Sequence, residues 1–104
     1  MILILIRYVK PIEEVEAHTE AHRAFVRGLV AEGRLIVSGP REPRTGGVLL
    51  TTFETEVEAM KRMVDDPFFE NGIAEYEAIR FRPTNHDPRF AAFVPGSEGA
   101  AGAR

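Results

Sequence analysis

The first strand-length run of the chain, ILILIRYV at residues 2–9, is apolar on both of its faces. Successive side chains of an extended segment point to opposite sides. Ile2, Ile4 and Ile6 therefore share one side, and Leu3 and Leu5 share the other. A strand with one solvated face alternates apolar with polar residues, whereas this one asks for cover on both. Whatever layer packs on the isoleucines, a second body must meet the leucines.

The remaining elements follow from punctuation. Pro11 suits the first turn of a helix, expected from Ile12 to Glu32 and closed by Gly33. RLIVSGP at 34–40 reads as a second strand, REPRTGG as a polar loop with Gly46-Gly47 as its turn signal, and VLLTTF at 48–53 as a third strand. Thr55 and Glu58 form a capping-box pair. The helix they open carries Val57, Met60 and Val64 on one stripe and must stop at Asp66, because Pro67 disfavours helical geometry in the residue before it. FFENGIA has room for one more short turn, and EYEAIRFR at 75–82 is the last strand.

The order β-α-β-β-α-β predicts an α+β, ferredoxin-like domain over residues 1–83: a four-stranded antiparallel sheet with both helices on one face. Residues 84–104 form a C-terminal extension. Its Gly/Ala-rich end, PGSEGAAGAR at 95–104, has the composition of a disordered tail, with Phe90, Phe93 and Val94 just ahead of it to pack on the body or on a partner. Two helices cover only one face of the sheet. A second copy packed sheet to sheet covers the other, so a homodimer, or a larger assembly of dimers, is expected.

Composition excludes several classes. With 13 basic and 16 acidic residues and a net charge of −3, the chain is no phosphate-neutralising nucleic-acid binder. Its apolar start, MILILI, is too short for a bilayer span or a secretory signal, which predicts a cytoplasmic protein without membrane attachment. Cysteine is absent, which rules out disulfides and thiol catalysis. Neither a GxGxxG nor a P-loop spacing occurs, and Ser38 lacks the glycine–serine–glycine elbow of hydrolases; no cofactor is expected. Eleven of the 13 basic residues are arginine, which binds carboxylates and phosphates through a planar fork, although GC-rich coding enriches arginine as well.

The chemistry-bearing signal is in EAHTEAHRAFVRGL, residues 16–29. At helical spacing Val15, His18, His22, Phe25, Val26 and Leu29 fall within about 60° of His22 in projection. His22 is thus central to the buried stripe, where an unpaired imidazole costs a few kcal/mol. Three readings answer that need. One is a core histidine bonded to a backbone carbonyl. Another pairs His22 with Asp66, brought alongside by the second helix, so that the carboxylate fixes the ring tautomer and makes it a general base; Asp66 otherwise reads as a turn residue before a proline. The third is a metal site of His18, His22 and Asp66, since His18 and His22 are spaced i, i+4; HxxxH alone is a weak signal, and the glutamate of HExxH is replaced here by Thr19. His86, in TNHDP, reads as a solvated loop residue.

The segments AHRAFVRGLVAEGRLIVSGP, GGVLL and DDPFFENGIAEYEAIRF, taken in order, resemble the YCII-related family over nearly all of residues 1–83. The resemblance implies a dimeric α+β barrel and a His–Asp dyad that maps onto His22 and Asp66. It further implies cofactor-free proton transfer on a small anionic or hydroxylated ring, either elimination of the dehydrochlorinase kind or isomerisation of the muconolactone-isomerase kind. On that expectation backbone groups at Ser38 and Gly39, with Arg7 or Arg80 from the strands, hold the substrate. The sequence departs from the family pattern in His18, in Arg23, which lies about 100° from His22 and is expected to face solvent, and in its longer tail. A non-catalytic ligand-binding or structural dimer remains the alternative, because fold does not fix function.

Overall fold

The computed structural model describes residues 1–95. Its elements are β1 (Ile2–Tyr8), α1 (Ile12–Ala31), β2 (Leu35–Pro40), β3 (Gly46–Thr51), α2 (Glu56–Met63), α3 (Pro67–Glu70), β4 (Ala74–Arg80) and a 3-10 helix at Pro88–Phe93. The strands form one antiparallel sheet in the order β2-β3-β1-β4. This is the ferredoxin-like α+β arrangement. The expectation of a disordered tail falls, from residue 96 onward, outside the described residues.

The isoleucine face of β1 is the core face. Ile2, Ile4 and Ile6 are buried with Leu29 of α1, Leu49 of β3, Phe53, and Ala59 and Met63 of α2. Leu3 and Leu5 point the other way, opposite Leu50 and Val48 of β3, and stay half-buried. Val37, opposite Leu50, and Ile79, opposite Leu3, continue this outer face and are 58% and 37% exposed.

Local signals set most boundaries. Gly33 ends α1 with φ 75°, letting Arg34 N–H donate back to Leu29 O at 2.9 Å. At the start of α2 the Thr55 hydroxyl accepts from Glu58 N–H at 3.1 Å, while the Glu58 carboxylate accepts from Glu54 N–H at 2.9 Å. The box closes, but one residue further back than the usual pattern.

Three expectations need correction. The buried stripe of α2 is Ala59 and Met63 with Met60 half-buried, whereas Val57 and Val64 are exposed. Small Ala59 lets the helix approach the core, so the apolar count misidentified the face. The same helix ends at Met63, short of Asp66, which instead caps α3. Gly46 and Gly47 are not the turn but the start of β3, paired with Arg7 and Ile6. A Cβ at Gly46 would stand 1.7 Å from Ile6 O, so glycine is required there by the close approach of β1. Phe90 and Phe93 pack on each other at 5.3 Å between centroids, and no residue of their 3-10 helix is buried.

Candidate functional site

Asp66 has an extended backbone (φ −69°, ψ 128°), set by the following proline, and its side chain turns back to cap α3 by accepting from Phe68 N–H at 3.0 Å. The turn-residue reading and the dyad reading of this aspartate are thus compatible. The same carboxylate meets His22 of α1: Nδ1 lies 2.9 Å from Oδ1 and 3.0 Å from Oδ2. Tyr76, from the core face of β4, donates its hydroxyl to Oδ2 at 2.5 Å. Asp66 is fully buried and the His22 side chain is 17% exposed.

Three donors therefore converge on one carboxylate away from water. A carboxylate accepts and does not donate, so Nδ1 donates to it, and in the uncharged ring the lone pair is then on Nε2. Among the described residues Nε2 has no hydrogen-bond partner. The ring is clamped from the side by Phe68, parallel to within 8° at 4.1 Å between centroids, and Tyr8 packs edge-on behind Phe68 at 5.8 Å. Burial, and then the charge of Asp66, push the Tyr76 pKa well above the usual phenol value. Tyr76 is accordingly a permanent donor to Asp66.

His22 lines a cleft of about 390 Å³ between α1 and the β1–β3–β2 part of the sheet. Its walls include Ile6, Val26 and Leu49, with Ser38 and Gly39 at the β2 side. That volume lies at the small end of ligand cavities and suits a single-ring molecule.

The arginines differ from expectation. Arg7 stands on the outer face, where it pairs with Glu75. Arg80 lies opposite Ile2, at the far end of β1 from Ile6 and Tyr8, which border the cleft. Strand parity and strand end exclude both from the cleft. The arginines that do line it are Arg23 and Arg27 of α1 and Arg44 of the β2–β3 loop. Arg23, expected in solvent, is exposed but borders the cleft mouth, because a long side chain reaches well beyond its helical projection.

Among the described residues no group of three or more His, Asp or Glu is placed to hold a metal ion. His18, half-buried, is not gathered with His22 and Asp66 into such a site. His86 is half-buried and pairs with the Asp87 carbonyl at 3.0 Å. Tyr76 went unnoticed in the sequence. Its signal was present: a residue with a polar tip between Ala74 and Ala78, on the inward parity of a strand, needs a partner there.

A family model, the YCII-related domain, matches residues 1–82. Among solved structures, the chain is similar to 5-chloro-2-hydroxyhydroquinone dehydrochlorinase from Burkholderia phenoliruptrix AC1100, in complex with 2,5-dihydroxybenzoquinone. The TM-score is 0.65 at 22% identity, covering 78% of this chain and 93% of that one, a likeness of fold. No curated protein sequence matches.

Proposed function

The chain belongs to the YCII-related domain family, and from that premise we propose that it is a small enzyme catalysing proton transfer with His22 as base and Asp66 as its orienting partner. The observation that carries this reading is the imidazole itself, bonded through Nδ1 to a buried carboxylate, with no partner on Nε2 among the described residues, in a side chain that lines a cleft. In the proposed step Nε2 takes a proton from a ring carbon and the C–H electron pair forms a new double bond. Elimination acts on the ring's diketo tautomer, in which the chlorine-bearing carbon and its neighbour are saturated, and the pair expels chloride from the adjacent carbon; in isomerisation an existing double bond shifts as the proton returns to a different carbon. The imidazolium formed is stabilised by Asp66, which Tyr76 and Phe68 N–H hold in register. Such chemistry needs no cofactor. Ser38 and Gly39, at the cleft wall, present backbone groups to an anionic or hydroxylated ring.

The similar dehydrochlorinase names the first substrate to try. The wild type is expected to release chloride from 5-chloro-2-hydroxyhydroquinone, and His22→Asn to lose at least about a hundredfold in kcat, the lower range for a general base. A folded His22→Asn variant that turns over normally contradicts the assignment. A second reading, a non-catalytic binding module, draws on the absence of any buried side-chain polar atom without a partner among the described residues: the cluster is self-sufficient as structure. On that reading His22→Asn changes stability and no turnover exists to lose.

Homodimerisation belongs to the same proposal. The apolar outer face carrying Leu3, Leu5, Leu50, Val37 and Ile79 is the surface it uses.

A further inference from the structure

The cleft that ends on His22 gathers positive charge from a chain whose net charge is −3. Arg23, Arg27 and Arg44 line it, and among the described residues its lining holds no aspartate or glutamate. Asp66 lies behind the imidazole, spent on its three donors. The carboxylates that do meet the arginines stand outside the lining. Arg23 and Arg27 share Glu20, at 3.7 and 4.0 Å, and Arg44 lies 3.9 Å from Glu16. Arg44 also donates to the Thr19 hydroxyl at 3.4 Å.

These contacts are exposed and long. Pairs of this kind are screened by water and contribute little, so a guanidinium can exchange its glutamate for a bound anion at little cost. Two arginines on one glutamate leave surplus charge, and cleft walls of low polarizability focus that field on whatever enters. Below the rim the cleft is apolar, through Ile6, Val26, Leu49 and Phe68.

We propose that Arg23, Arg27 and Arg44 form an anion-recognition rim and that the ligand is a single-ring anion, with a carboxylate or an ionised ring hydroxyl at the mouth and its ring on the apolar floor. The orientation that brings a ring carbon to His22 rests on the catalytic reading above; the rim itself does not.

The test is equilibrium binding of benzoate, with neutral benzamide as control, followed by calorimetry or by NMR shifts of cleft amides. Benzoate is expected to bind the wild type at least about tenfold more tightly than benzamide. Arg44→Gln and Arg27→Gln, both exposed substitutions that leave the core intact, are each expected to weaken benzoate about tenfold while leaving benzamide unchanged. Added salt should weaken benzoate alone. Equal affinity for the two probes, no benzoate binding by the wild type, or rim variants that bind benzoate normally would each overturn the proposal. His22→Asn separates the two ideas. Normal turnover by that variant removes the catalytic reading, whereas unaltered benzoate binding by the rim variants removes only the rim.

Discussion

At the scale of single residues, the Asp66 carboxylate is the centre of the site. It caps a four-residue helix, orients an imidazole and accepts a hydrogen bond from a phenol in one buried position. Asp66→Asn keeps the shape but offers an amide in place of an acceptor oxygen, so the His22 tautomer is no longer enforced; kcat is expected to fall at least about a hundredfold, in a chloride-release assay, with the fold retained. Tyr76 gives a stability prediction. Its raised pKa means that the folded protein keeps the phenol proton at a pH where the unfolded chain gives it up. Its contribution is complete below the ordinary tyrosine value of 10.0 and is lost as pH rises beyond it. Denaturant unfolding of the wild type should therefore lose up to about 1.4 kcal/mol per pH unit above that point through this group. Tyr76→Phe should lack that slope and be about 1 kcal/mol less stable at neutral pH. Helical spacing alone placed His22 on the inner stripe, and Pro67 marked Asp66 as a chain-turning residue. Tyr76 was harder to see, because which strand parity faces the helices depends on pairing with β1, which no local pattern states.

At the scale of elements, the repeating signals were readable and the close contacts were not. Gly33, the Thr55–Glu58 box and the branched run of β1 each act within a few residues, so the sequence exposes them directly. Gly46-Gly47 misled because glycine marks turns and tight strand crossings alike, and only the 1.7 Å that a Cβ would leave to Ile6 O tells them apart. Gly46→Ala must force β3 away from β1 and is expected to cost about 3 kcal/mol or more, read from denaturant midpoints. The stripe of α2 misled for a related reason: an alanine scores weakly as an apolar residue yet allows the closest approach, so Ala59 and not Val57 faces the core. The arginines were the largest miss. Their placement depends on strand parity and on a loop whose path between β2 and β3 has no periodicity to read.

At the scale of the whole molecule, the two-faced first strand leaves a sheet whose outer side carries an apolar patch, beside the Arg7–Glu75 pair, that no described residue covers. If that surface joins two copies, sedimentation should show a dimer for the wild type. Val37→Lys with Ile79→Lys, both exposed in the single chain, should yield a folded monomer. A wild-type monomer at micromolar concentration would contradict the dimer proposal. Among the described residues no helix is long and apolar enough to cross a membrane.

The protonation pattern of the His22 ring tests the account at its root, and two-bond proton–nitrogen NMR of labelled protein reads it without any substrate. With the ring uncharged, a protonated Nδ1, tied to Asp66, and a bare Nε2 are expected; Asp66→Asn should scramble that pattern. A proton residing on Nε2 in the wild type, or a ring indifferent to the loss of Asp66, would contradict it.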